Sequence, residues 1–368
     1  MRAIFCTFLL VFAAINVHAQ GSAQSLIHPG SAARLTIMPV IQLWENPNNP
    51  SDRDFFGEVS VPVSLQIPFG RNAHLSLIGR AVGVDGVHVE QVIGMADIQA
   101  ALSYRVSLGR SALLLSLAAN LPSGKKELTN DEFATSTLLS QNIFRFQVPT
   151  FGQGFNIAPG LLIAVPLSDR IAIGVGGSYQ IKNSYTPLAG MIGEYDPGDE
   201  LLLTGGFDLR LGSTTYFSVD VAYTMYGRDQ LGSEEVFGSG DKTVVSGQLR
   251  STVGFTELWI LARYRSKDKS EIPVGGNFIE ESEKIIPNQT VLMGHIRFRA
   301  GRKFALRLIA DGRFFDQSPL SQSLSIVGLG IGPEFAISRW VRFPLHAKYF
   351  FGDFNGIEVS FGLDIIFH

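Results

Sequence analysis

The chain predicts an all-β protein: a transmembrane antiparallel up-and-down β-barrel of roughly fourteen to sixteen strands, with short periplasmic turns and long extracellular loops. Three observations predict it. The C-terminal segment alternates strictly, with Val359, Phe361, Leu363, Ile365 and Phe367 on one face and Glu358, Ser360, Gly362 and Asp364 on the other. Successive strand side chains point to opposite faces, so one face meets an oily medium and the other a wet one. The same pattern recurs along the chain, and the connectors between the repeats alternate between short and long. The N-terminus reads as a secretory leader.

The leader comes first. Arg2 supplies a positive start, Ala3 to Ile15 an apolar run, and Val17-His18-Ala19 a small-x-small cleavage site, so residues 1–19 are expected to be removed and the mature chain to begin at Gln20. The apolar run is shorter than the roughly 20 residues a spanning helix needs. Cys6, the single cysteine, falls inside this leader, so the mature protein is expected to hold no disulfide and no thiolate metal site. The 39 glycines, 27 phenylalanines and charged fraction of 17% suit strands and turns, and a net charge of -3 gives no electrostatic reason for nucleic acid as a partner. A chain living in a bilayer without apolar helices must do so as closed strands, because unpaired backbone groups are too costly in hydrocarbon.

Sixteen candidate strands follow a short segment, 20–33, that is either periplasmic or a lumen plug: 34–43, 57–68, 72–84, 93–106, 111–120, 152–165, 170–182, 200–211, 214–226, 243–254, 256–266, 289–301, 303–315, 324–337, 340–352 and 356–367. The dyad is sharp where Phe217, Val219, Val221, Tyr223 and Met225 oppose Ser218, Asp220, Ala222 and Thr224. It is blurred at 57–68, which carries Pro62 and Pro68, and at 243–254, so fourteen strands stays open. Connectors after the even strands are tight and rich in turn formers, such as Phe69-Gly70-Arg71, Leu108-Gly109-Arg110, Gly212-Ser213 and Gly301-Arg302. The intervening ones are mostly long: 44–56, 85–92, 121–151, 183–199, 227–242, 267–288 and 316–323. Transmembrane barrels segregate loop length by side in this way, and soluble sandwiches have no reason to.

The last strand resembles the recognition signal of bacterial outer-membrane proteins, with Ser360, Gly362, Ile365 and Phe367 in the polar, glycine, apolar and aromatic places and His368 following the aromatic. That resemblance implies the barrel assembly machinery as a partner and the bacterial outer membrane, with its lipid and lipopolysaccharide, as the location. A second resemblance rests on Leu121-Pro122-Ser123-Gly124-Lys125, Gly152-x-Gly154, Ile157-Ala158-Pro159-Gly160-Leu161, Pro166-Leu167-Ser168-Asp169-Arg170 and Tyr195-Asp196-Pro197-Gly198-Asp199-Glu200. These stretches resemble the transporter barrels of phenol meta-pathway (MetA-type) clusters, which are similar to the long-chain fatty acid transporter family. The resemblance implies passive uptake of small hydrophobic molecules through a barrel plugged by an N-terminal segment.

With apolar faces outward, Arg263, Arg265, Arg297, Arg299, Arg307, Arg313, Arg342, His346 and Lys348 face the lumen as a basic wall, and Asp97, Asp208 and Asp220 face it from the other side, with Asp311, Glu358 and Asp364 close to the wall. One reading is a polar pore that favours anions or amphipathic carboxylates; the other is a salt-bridged filling that holds the barrel's shape. The loop 121–151 is the unusual connector. Phe133, Phe144, Phe146 and Phe151 lie in it, forming either an apolar landing site for a ligand at the barrel mouth or a segment that folds inward as a lid. The charges of 267–288 read as a solvated or lipopolysaccharide-facing loop.

No histidine sits in a context that sets up a nucleophile or a metal pair, so neither an enzyme nor a bound cofactor or metal is expected. Trp44, Tyr104, Tyr179, Tyr223, Tyr226, Trp259, Tyr264, Trp340, Tyr349 and Phe351 are candidates for the two aromatic girdles. The functional expectation is passive transport of small solutes, hydrophobic molecules or amphipathic anions among them; the alternative is a structural or adhesin-like surface barrel. The sequence names neither the solute nor the oligomeric state.

Overall fold

A computed structural model describes residues 32–47, 55–87, 89–140, 143–148, 150–319 and 322–367. The leader, most of the segment 20–33, His88 and His368 lie outside the described residues.

Sixteen antiparallel strands close into a barrel. The first is broken into Ala33–Ile37 and Val40–Glu45, and the fourth into Val89–Met95 and Ile98–Leu108. Between them run Phe55–Phe69 and Ala73–Gly86; after them come Ser111–Leu121, Asn156–Pro166, Ile171–Lys182, Glu200–Arg210, Thr215–Tyr226, Lys242–Val253, Thr256–Lys267, Gln289–Arg299, Phe304–Phe315, Leu324–Ala336 and Val341–Gly352. The sixteenth is broken into Asn355–Phe361 and Leu363–Phe367. The expected strands are all present, with bounds shifted by a few residues, and the blurred segments at 57–68 and 243–254 are full members.

The seam pairs the first strand with the sixteenth. Ala33 lies opposite Phe367, Leu35 opposite Ile365, Val40 opposite Ser360 and Gln42 opposite Glu358. Both seam strands break at one level: Phe361 N–H donates to Pro39 O over 3.2 Å and Met38 N–H to Pro62 O over 3.1 Å. A side chain at Gly362 would run into Ile37 O and Met38 Cα, so the seam needs glycine there. Pro62, which blurred the sequence pattern, faces the break in the first strand.

One parity of every strand points outward. Val59, Leu115, Leu161, Val175, Leu203, Val221, Leu292, Leu308, Leu329 and Ile357 are exposed there, and Val175 is 66% exposed. A continuous apolar belt of this kind is tolerable only against hydrocarbon, since each Å² left in water costs about 25 cal/mol. Short turns lie at one end, together with Ala33 and Phe367 at the ends of the first and last strands, and the long connectors lie at the other, the arrangement of an outer-membrane barrel. Tyr104, Tyr179, Tyr223, Tyr264, Tyr349 and Phe351 share the outward face. Trp44, Tyr226 and Trp259 do not belong to a girdle. Their partners across the ladder, Gly356, Glu200 and Arg250, are on the lumen parity.

Two features depart from a plain meander. The long connectors at 183–199, 227–242 and 267–288 pair into a second sheet of five short strands: Tyr195–Asp196, Arg228–Leu231, Glu234–Gly238, Glu271–Val274 and Asn277–Glu280. The charged 267–288 loop is therefore a hairpin tied to its neighbours. Arg228 pairs with Glu235 and Glu271 and lies 3.9 Å from the Phe278 ring centroid. The connector after the fifth strand carries the single described helix, Asn130–Ser140, and then turns into the barrel. Thr129 and Glu132 start that helix with reciprocal bonds: Glu132 N–H donates to Thr129 Oγ1 over 3.2 Å, and Thr129 N–H to Glu132 Oε2 over 3.0 Å. The principal core is thus inside the barrel, where Ile143, Phe144, Phe146, Val148 and Phe151 pack against Trp44, Phe56, Val82, Val84, Val92, Phe315, Ile326 and Phe350.

Candidate functional site: the barrel lumen

The lumen is organised by the connector that enters it. Asp97, at the break of the fourth strand, holds both ends of that connector. It accepts from Gly124 N–H, Gln153 N–H and Asn120 Nδ2, each over 2.7 Å, and Asn120 also donates to Gly154 O over 2.9 Å. The close approach explains the glycines: a Cβ on Gly124 would lie 2.8 Å from Asp97 N, and one on Gly152 would lie 2.7 Å from Lys125 O. These glycines belong to the stretches that resemble transporter barrels, so that resemblance reflects a loop clasp. Lys125 Nζ bonds Glu132 Oε1 over 2.5 Å and ties the clasp to the helix. The Lys125 hydrogen bond and then the Thr129 N–H hold the Glu132 carboxyl below its ordinary pKa.

The inserted segment is anchored by charge and aromatic packing. Arg313, 1% exposed, donates from Nη1 to Ile143 O and Phe144 O, both over 2.8 Å. Its other nitrogens bond Asp311 over 3.1 Å, and Asp311 also receives Arg145 Nη1 at 3.4 Å. Arg145 holds a left-handed backbone, φ 53°, at the turn of the segment. From across the lumen Glu58, buried, accepts Gln147 N–H over 3.0 Å and Val148 N–H over 3.2 Å. The Phe144 ring centroid lies 4.7 Å from Phe56, 5.0 Å from Phe354 and 5.3 Å from Trp44. Of the four loop phenylalanines, Phe144, Phe146 and Phe151 are buried in this core, and Phe133, on the helix, is 42% exposed. Their apolar surface is taken up inside the protein and leaves no open landing site of four rings at the mouth.

The candidate basic wall divides into three groups. Arg313 belongs to the loop anchor, and Lys348 pairs with Glu358 over 2.7 Å beside it. Toward the short-turn end Arg297, Arg299, Arg307 and Arg342 surround two glutamates. Arg297 bonds Glu334 over 2.9 Å and lies 3.3 Å from Glu257; Arg307 and Arg342 each lie 3.8 Å from Glu334; Arg299 pairs with Glu257. Arg263 and Arg265 form the third group and have no carboxylate within ion-pair distance among the described residues. Asp208 and Asp220 are buried on the lumen side of the eighth and ninth strands, and Asp220 lies in ladder register with Arg263 through Ser246 of the intervening strand. Ser360 faces inward and is buried, 3.4 Å from His346, whereas Ile365 and Phe367 share the outward parity of the last strand.

The sequence reading missed Glu257 and Glu334. It also missed a group at the outer ends of neighbouring strands. Lys182, Lys242 and Lys267 place their ammonium groups 6.0, 5.4 and 5.4 Å from the centroid of the Tyr226 ring. Parity was the available signal, since all four residues fall on the lumen side of their strands. Among the described residues no group of three or more His, Cys, Asp or Glu side chains is arranged to hold a metal ion.

The chain matches no protein-family model and no curated protein. Several solved structures resemble it in form. A bacterial polysaccharide outer membrane secretin shares 11% identity, with 92% of this chain and 99% of that one covered and a TM-score of 0.48. The CymD monoaromatic hydrocarbon channel shares 13%, covering 96% and 94%, with a TM-score of 0.47. The Ralstonia pickettii toluene transporter TbuX shares 12%, covering 95% and 94%, with a TM-score of 0.39. The barrel assignment itself rests on the closed register and the apolar belt.

Proposed function

We propose that the chain forms a passive, non-catalytic conduit for small polar and amphipathic solutes across the outer membrane, narrowed by the inserted 143–148 segment. The unequal filling of the lumen supports this reading most directly. Under the inserted segment the inner wall is sealed, with Gln42, Trp44, Ser60, Val92, Ile326 and Phe350 all essentially unexposed. On the facing arc the inward residues Tyr226, Lys242, Ser246, Gln248, Arg250, Arg263 and Arg265 are only half-buried. Sixteen strands enclose more space than their own side chains fill, so a single loop leaves room on the far side. A purely structural or adhesin-like barrel has no need of that unfilled, charged arc.

On this reading Arg263, Arg265, Arg297, Arg299, Arg307 and Arg342 line the passage, while Arg313 and Lys348 hold its narrowed wall. The leader is removed after Ala19, and the strand bearing Ser360, Gly362, Ile365 and Phe367 is what the assembly machinery reads. Planar-bilayer recording on the purified barrel tests the conduit. Discrete conductance steps are expected, and replacing 141–149 by a short Gly-Ser linker should enlarge them in a barrel that still migrates as folded on unheated gels. Silence from both forms removes the conduit reading.

A further inference from the structure

The outer ends of five adjacent strands bring cations together with little to balance them. Lys182 ends the seventh strand, Glu200 begins the eighth, Tyr226 ends the ninth, Lys242 begins the tenth and Lys267 ends the eleventh. Lys242 and Lys267 stand directly opposite each other in the ladder, and like charges so placed repel. Arg265 and then Arg263 continue the series inward on the eleventh strand. One carboxylate enters the group: Glu200 bonds Lys182 over 2.7 Å. Asp229, Asp241 and Glu281 stand nearby and keep their charge, accepting from the neutral donors Tyr195 and Gly198, Tyr223, and Ser270, but none makes an ion pair with these cations, so they offset them only from a distance. The Nε atoms of Arg263 and Arg265 are buried and meet no protein acceptor. The Tyr226 ring face offsets only part of this charge, because a cation over a ring is worth much less than an ion pair.

We infer that Lys242, Arg265 and Lys267, with Lys182 and Tyr226 beside them and Arg263 below, form a binding station for a small multiply charged anion bearing phosphate or carboxylate groups. The inference deepens the conduit reading by naming a charge class, though binding does not itself require flow. Such an anion accepts charge-assisted hydrogen bonds from three side chains at once and removes the repulsion between the facing lysines. Two neighbouring arginine groups differ in kind: those around Glu257 and Glu334 and the one on Asp311 already have carboxylates, so they hold shape. Of these three groups, among the described residues, the outer one has Lys182 alone paired with a carboxylate.

Two measurements with inorganic pyrophosphate test it, each on the full-length folded barrel in detergent. First, pyrophosphate should raise the thermal unfolding temperature above that in chloride of matched ionic strength, and the Lys242→Gln/Lys267→Gln variant should need roughly a hundredfold more for the same rise, the size of losing two charge-assisted hydrogen bonds. That variant relieves like-charge repulsion, so without pyrophosphate it should melt no lower than the parent. Second, in bilayers the parent should favour chloride over potassium in a salt gradient and be blocked by pyrophosphate, with both effects weakened in the variant. No thermal response in the parent, or an equal response in the variant, overturns the station. Thermal response without any current leaves the station standing and removes the conduit.

Discussion

The two arcs of the inner wall are made from the same alternating strands yet are chemically opposite. Under the inserted segment the wall behaves as the core of a soluble protein: Trp44, Phe56, Phe144 and Phe350 interlock, and the charged groups there, Glu58, Asp311 and Arg313, spend their hydrogen bonds on one another and on loop backbone. On the facing arc Lys242, Arg263, Arg265 and Lys267 stay half-buried and without carboxylates. The difference teaches that alternation fixes only which side faces the lumen. Whether a lumen side chain supports structure or meets solute depends on the connector that folds in from above.

The largest effect should come from breaking the sealed arc. Arg313→Ala leaves Asp311 buried with Arg145 alone and frees the Ile143 and Phe144 carbonyls, and removing one partner of a buried pair costs about 3–5 kcal/mol. Urea unfolding of the micelle-folded barrel should show that loss, together with new protease cuts in the 124–153 connector. Arg263→Ala on the facing arc breaks no ion pair, so its midpoint should stay close to the parent's. Equal losses at the two positions would erase the contrast.

A second comparison sets the outside of the wall against the inside. Val221, 43% exposed on the apolar belt, should not tolerate charge, and Val221→Arg is expected to cost about 2–4 kcal/mol. Gln248→Arg, two strand positions from Asp220's partner Ser246 on the half-buried arc, should change stability by only about 0.5 kcal/mol. Unfolding titrations of the two variants in lipid vesicles measure the difference. A costly Gln248→Arg would mean that the facing arc is as tightly filled as the sealed one.

Much of this organisation was legible because it is local. Alternation needs only a strand's own residues, and so a count of fourteen to sixteen strands, their parity and the segregation of turn lengths could be read directly, and closure of the barrel fixes sixteen. Pro62 blurred one strand because it serves a neighbour, facing the Met38–Pro39 break and accepting from Met38 N–H. Long-range contacts could not be read. Arg313 reaches Phe144 across 169 positions of sequence, and no local signal says that the 121–151 connector turns inward to meet it. Glu257 and Glu334 share the lumen parity of the arginines they bind, so parity could have paired them. Trp44, Tyr226 and Trp259 were placed in the girdles by residue type, and parity overrules type because backbone geometry decides the face before the side chain's preference matters.

A smaller expected loss concerns the clasp that holds the inserted segment. Glu132 lies on the helix outside the membrane-spanning strands, and the hydrogen bond from Lys125, then that from Thr129, depresses its pKa below the ordinary 4.5. A carboxyl depressed in the folded state contributes stability that is full above its unfolded value and lost as pH falls through the folded one. The connector should therefore loosen as the pH drops below about 4.5, the ordinary glutamate value. The Glu132 side chain is 14% exposed and that of Lys125 30%, and the pair sits at the water-facing mouth, which keeps the effect near the upper end of the range of an exposed pair, about 1 kcal/mol. Hydrogen exchange at residues 129–140 should accelerate on acidification in the parent, and Glu132→Gln should be fast already at neutral pH with little further change. The exchange of the sealed arc at Ile326 and Phe350 should not follow it, because Arg313 and Glu58 hold the inserted segment independently of the helix. If both regions loosen together, the clasp and the anchor are one cooperative unit, and the sealed arc owes its filling to the helix as much as to its own charges.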